Sequence, residues 1–196
     1  MGALLVVMTP LRLFNESILA LGRAIGVVAV ALMVVAILVQ VFFRYVLNNA
    51  LPWPDEAARF CMLWMTGLMA PTAYRRGGFV AIDTLARLLP KRLGDILGLL
   101  LMGISLAVLI VAVQIGWSEV TGFAGRFATA SLYVPTDLSF ENWFRVPRSW
   151  MMASLLVGVV LLITVNVELI LRSLARLLGG GERLPPITLA EKVGAE

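Results

Sequence analysis

The chain has 196 residues, among them no histidine and a single cysteine. Without histidine, bis-histidine haem ligation, the usual zinc sites and the commonest general base are excluded. Cys61 has no second cysteine to pair with, and its position inside an apolar run reads as packing. No GxxxxGK[ST] loop occurs, so the chain is not itself an ATPase of that type. Charge is scarce too, at 14% of residues against about a quarter in soluble domains. The opening MGALLVVM lacks the basic region and small-residue cleavage site of a secretory signal and reads as retained.

In place of charge there is apolar sequence, 60% of the chain, which puts it in a bilayer. Four runs are free of Asp, Glu, Lys and Arg: Ala24–Phe43, Phe60–Tyr74, Ile96–Ser118 and Ser149–Val167. The second is short, reaching about 22 Å at 1.5 Å per residue against roughly 30 Å of hydrocarbon, so its charged ends must help it to span. The expected fold is an all-α integral membrane protein with four transmembrane helices, over about 24–47, 55–76, 95–118 and 148–171. They form one membrane domain, residues 1–178. The glycines and paired prolines of 179–196 predict a flexible cytoplasmic tail.

Two further helices are expected at the membrane surface. Leu11, Phe14, Ile18 and Leu21 recur at helical spacing beside Arg12, Glu16 and Arg23, predicting an N-terminal interfacial helix. Val80, Ile82, Leu85, Leu88 and Leu89 do the same beside basic positions, predicting an amphipathic cytoplasmic helix between spans two and three that ends at Pro90. Lys and Arg divide eleven to five between the two sides, which predicts cytoplasmic termini. The net charge of +4 therefore reflects topology and contact with membrane lipids, and gives no reason to expect nucleic acid.

Absence of charge at mid-membrane narrows the function. A helical transporter or pump keeps an ionisable group near the bilayer centre, and the four runs have none. A small four-helix exporter would need a carboxylate in its first span, and Ala24–Phe43 carries no acid. Gln40 and Gln114 are the most polar side chains available; Glu119 and Glu168 lie at helix ends, where water or headgroups reach them. No substrate, cofactor or metal site is expected within this chain.

The segment from Arg44 to Leu85 is the densest in information. Asn48 and Asn49 favour a turn, Pro52-Trp53-Pro54 forces an extended or turn conformation, and Asp55 and Glu56 suit the positive end of a helix dipole. Two readings of these charges stand: a capped helix start with an Asp55–Arg59 pair and Trp53 in an aromatic belt, or one cluster of Arg44, Asp55, Glu56 and Arg59 binding helix to helix or to a partner. Thr66, Gly67, Ala70 and Ala73 form a strip of small side chains that lets another helix approach. Pro71 frees the Gly67 carbonyl, which Thr66 would partly re-satisfy. Gly22/Gly26 and Gly94/Gly98 are further small pairs. Asp83 reads either as a solvated charge or as a contact of Arg75, Arg76 or Arg87. The aromatic-rich loop from Glu119 to Arg148 reads as an interfacial belt, with a docking surface for an external protein as the alternative.

The order FRYVLN, W-P-D-E-A-A-R, a small-residue helix and R-R-G-G-F-V-A-I-D resembles the small membrane subunit of tripartite ATP-independent periplasmic (TRAP) transporters. The match is densest from Arg44 to Asp83, where Arg44, Trp53, Asp55, Glu56, Arg59, Arg75, Gly77 and Asp83 fall on the family's recurring residues. Two departures are Asp55, where a glutamate is usual, and Phe79, where a histidine is frequent. The resemblance implies a scaffold in the bacterial inner membrane, bracing a large subunit that imports organic acids with sodium while a periplasmic solute-binding protein delivers them. A membrane anchor or assembly subunit of an unrelated complex is the competing reading.

Overall fold

The computed structural model describes residues 2–77, 91–135 and 142–177. Its elements, in chain order, are α1 (Gly2–Tyr45), α2 (Trp53–Arg75), α3 (Lys91–Thr121), a 3-10 turn (Ala124–Arg126), β1 (Ala128–Pro135), β2 (Trp143–Pro147) and α4 (Arg148–Leu177). Each expected span falls on one of the helices. Three of them, over Met8–Tyr45, Leu93–Thr121 and Arg148–Leu177, are long and apolar enough to cross a membrane. α2 is not among these: charged residues stand near both its ends, and Trp64, Thr66, Gly67, Pro71, Thr72 and Tyr74 lower the hydropathy between them. The amphipathic helix expected before Pro90, with Asp83 in it, and the tail 179–196 lie outside the described residues.

α1 corrects one expectation. The segment 11–21 is no separate interfacial helix but the first part of a 44-residue helix that passes unbroken into the span. Its buried positions are Met8, Asn15, Leu19, Gly22, Gly26, Ala29 and Ala36, spaced by three, four or seven residues and so on one stripe. Phe14 and Leu21, from the apolar set read in the sequence, are exposed instead. Apart from Met8 and Leu19, the inward residues are small or polar, and most large aliphatic ones turn outward, the arrangement suited to lipid, where backbone approach and interhelical hydrogen bonds hold helices together.

α2 lies between α1 and α4 and packs on both, while α3 packs mainly on α4. Glycines set these spacings. A Cβ on Gly26 would stand 2.7 Å from Met69 Cγ, and one on Gly22 would stand 3.1 Å from the Leu68 carbonyl oxygen. Across the other side of α2, Gly67 meets α4 backbone to backbone: its Cβ would fall 2.4 Å from the Ser154 carbonyl oxygen, and a Cβ on Gly158 would fall 2.7 Å from that of Gly67. Gly98, by contrast, has open space around it.

The loop after α3 is a second correction to an all-helical fold. β1 and β2 pair antiparallel, with Tyr133 opposite Arg145 and Pro135 opposite Trp143, and the register is irregular between Ala128 and Tyr133. Strand composition is the local cause: Thr129, Tyr133, Val134, Trp143, Phe144 and Val146 are β-branched or aromatic. The Thr129 hydroxyl, itself buried, donates to the Val146 carbonyl at 2.7 Å, and Arg148 N–H donates to the Phe127 carbonyl at 2.8 Å, closing the base of the hairpin.

Candidate functional site

The residues singled out in the sequence separate into two groups at opposite ends of α2. At the hairpin end, α1 closes through Asn48, whose φ of 50° is the left-handed conformation an asparagine tolerates, with Asn49 N–H donating to the Phe43 carbonyl at 3.0 Å. α2 then starts at the exposed Trp53, with proline in its first turn and no side-chain cap. The carboxylates of that turn are used for tertiary contacts. Asp55 accepts from Gln40 Nε2 of α1 at 2.9 Å. Glu56 accepts from the backbone N–H of Ala130 at 2.9 Å, from that of Ser131 and from the Ser131 hydroxyl at 2.8 Å.

Those two amides belong to the irregular stretch of β1, and the bulge leaves them for Glu56. Ser131 also donates its hydroxyl to the Pro52 carbonyl at 2.8 Å, and Arg145 donates to the carbonyls of Thr129 and Ala130 from the other strand. The hairpin is thus fastened to the start of α2. Neither reading of Arg44, Asp55, Glu56 and Arg59 is seen as an ion-paired unit within the chain: among the described residues no ion pair joins any of the four, including Asp55 and Arg59. The carboxylates point to Gln40 and the hairpin, and Arg44 lies over the Tyr45 ring at 5.8 Å.

Glu56→Ala is expected to release the hairpin without unfolding the helices. Charge-assisted hydrogen bonds of this kind contribute about 1.5–3 kcal/mol, so tryptic cleavage at Arg126 and Arg145 is expected to rise roughly tenfold or more. Digestion of the purified protein in detergent, followed by mass analysis of the fragments, measures it; unchanged cleavage would show the contact to be dispensable.

The opposite end holds a network that sequence reading missed. Glu168, expected within reach of water, is 1% exposed. Arg75 at the end of α2 grips it with both arms of the guanidinium, Nη2 to Oε1 at 2.8 Å and Nε to Oε2 at 3.0 Å. Arg172, one turn on in α4, donates from Nε to Oε1 at 3.1 Å, and Asn15 of α1 donates from Nδ2 to Oε2 at 2.7 Å. Glu16 adds a second carboxylate, 3.6 Å from Arg75 Nη2 and 3.4 Å from Arg12 Nε. One buried carboxylate therefore ties α1, α2 and α4 together.

The signal available was a polar pair, Asn15-Glu16, in an apolar helix, and Glu168 with Arg172 at i,i+4. Which helices they join depends on packing. Gly77, two residues past Arg75, has φ 81° and donates its N–H to the Tyr74 carbonyl at 3.2 Å, closing α2 in the conformation that favours glycine.

The small strip on α2 is divided by the helix's rotation. Gly67 is at the α4 contact, Ala70 is half-buried and Thr66 is exposed. Thr66 donates to the Met62 carbonyl at 2.9 Å, one turn back, and does not re-satisfy Gly67 as expected.

The chain matches no curated protein and no solved structure at a significant level. A protein-family model described as "Tripartite ATP-independent periplasmic transporters, DctQ component" matches residues 33–176, well over half of the chain, from within the first span through α2, the hairpin and α4 with Glu168 and Arg172. The order of features read from Arg44 onward, the four long helices and this match agree: the chain belongs to the DctQ family and is a small membrane subunit of a TRAP transporter.

Proposed function

We propose that this subunit is a scaffold that braces the large permease subunit of a sodium-driven importer of organic acids, and contributes no substrate site of its own. The observation that carries the reading is where the polar groups are used. Glu168 and Glu56, at opposite ends of α2, each hold separate elements together, one joining three helices and the other clamping a hairpin. Between them, Gly67 and Gly158 bring α2 and α4 into backbone contact. Such a frame resists deformation, as a static partner of a moving subunit must.

In this reading all four helices cross the bacterial inner membrane, α2 sheltered by its neighbours, with both termini cytoplasmic. The hairpin then lies on the periplasmic side, where the solute-binding protein approaches. Positive charge concentrated near the termini and middle loop supports that orientation.

Reconstitution tests the proposal. Proteoliposomes holding this chain alone are expected to take up no organic acid under a sodium gradient. Those holding it with the large subunit, supplied with the binding protein, are expected to do so, and to lose activity when this chain is left out. Uptake by the isolated chain would overturn the proposal.

A further inference from the structure

The outward faces of the helices differ in chemistry. On α1 the exposed side chains include Ile25, Val28, Leu32, Val35, Leu38 and Phe42, and on α3 they include Leu100, Ile104, Val108 and Ile115, all large and apolar as lipid requires. α2 presents something else. Asp55, Arg59, Met62, Thr66 and Ala73 are exposed, and their spacings of four, three, four and seven residues put them on one ridge. That ridge runs beside the α1 contact, where Asp55 accepts from Gln40 and Met69, three residues past Thr66, packs on Gly26, while Gly67 turns to α4.

Arg59 stands on it with no ion pair or hydrogen bond among the described residues, whereas Asp55 is engaged by Gln40. An arginine near the end of a membrane helix snorkels to the interface where lipid surrounds it, and needs a counter-charge where protein covers it. Below it, Thr66 and Ala73 are small enough for close approach of another helix.

We propose that the ridge from Asp55 to Ala73 is the face on which the large membrane subunit seats, through a transmembrane helix that brings a carboxylate to Arg59. The aliphatic faces of α1 and α3 are left to lipid. This rests on the scaffold reading above and specifies its interface.

The test is site-specific crosslinking in the assembled complex. A photo-crosslinking phenylalanine analogue replaces, one at a time, Met62 and Thr66 on the ridge, Leu32 on α1 and Val108 on α3, with the full chain co-expressed with the large subunit of its transporter. Irradiation is expected to give a band at the summed mass from positions 62 and 66 and none from 32 or 108. In parallel, Arg59→Glu is expected to lower recovery of the large subunit several-fold in mild detergent, while Arg59→Lys retains most of it. Adducts from α1 or α3 in place of α2, or no adduct from an intact complex, overturn the proposal and leave the ridge facing lipid. Failure of the unmodified chain to recover the large subunit at all removes the scaffold reading and this proposal with it.

Discussion

Glu168→Ala is expected to destabilise the chain more than removal of any other carboxylate. Arg75 and Arg172 have side chains only 11% and 7% exposed, and both are held by Glu168. Without it Arg172 loses its carboxylate partner and Arg75 keeps only the more distant Glu16, at 3.6 Å, while Asn15 Nδ2 loses the nearer of its two acceptors, at 2.7 Å against 3.3 Å to the Thr164 carbonyl. Removing one partner of a buried charge pair costs about 3–5 kcal/mol, because the remaining charge keeps its desolvation penalty. Thermal unfolding in mild detergent measures it, with Glu191→Ala in the tail as a control expected to leave stability unchanged.

Two companion variants separate charge from geometry. Arg75→Lys keeps the charge and loses the two-armed grip, so an intermediate loss is expected. Replacing Glu168, Arg75 and Arg172 together by methionine removes every buried charge of the core triad while keeping volume, and is expected to recover much of the stability lost in Glu168→Ala. If Glu168→Ala were no worse than Glu191→Ala, the network would have no part in holding α1, α2 and α4 together.

Gly67→Ala is the second change with a large expected effect. The added methyl would fall 2.4 Å from the Ser154 carbonyl oxygen, a backbone atom that cannot rotate aside, so α2 must move off α4. Overpacking of this kind costs about 1–3 kcal/mol, enough to outweigh the gain in helix propensity of roughly 1 kcal/mol from replacing glycine by alanine. Gly158→Ala, pressing on Gly67 from the other side at 2.7 Å, is expected to behave alike.

Gly98→Ala and Gly103→Ala provide the contrast. Both glycines lie in α3 with nothing within 4 Å of an added Cβ, so these changes are expected to be neutral or stabilising. Unfolding midpoints of the four variants decide the matter: equal behaviour at positions 67 and 98 would mean that the α2–α4 approach is not formed in the protein. Because the same displacement would shift the exposed ridge of α2, Gly67→Ala is also expected to weaken recovery of the large subunit.

Much of this was legible before any fold was seen. Apolar runs located the helices, since a spanning segment must be long and uncharged whatever surrounds it. Asn48 announced the end of α1 because left-handed closure selects such residues locally. The W-P-D-E-A-A-R and R-R-G-G-F-V-A-I-D stretches led to the family for the same reason, being contiguous.

Partners across the fold were not legible. Glu56 was read as a dipole or cluster residue, and its acceptor role for Ala130 and Ser131 depends on a hairpin 74 residues away. Hairpin pairing itself joins strands whose composition also suits an interfacial loop. Glu168 looked accessible because position along a helix says how near an end a residue lies, not which neighbouring helix covers it.

By itself, then, the sequence determined a helical membrane subunit of the DctQ family, the positions of its helices and the lack of ionisable groups within its apolar runs. Those follow from local hydropathy, turn chemistry and contiguous motifs. Only the tertiary structure decided that Glu168 binds three helices, that Gly67 is a point of contact while Gly98 is free, and that Arg59 stands on an outward ridge. Each of those depends on the rotation of one helix against another, which interhelical packing sets and no single segment encodes.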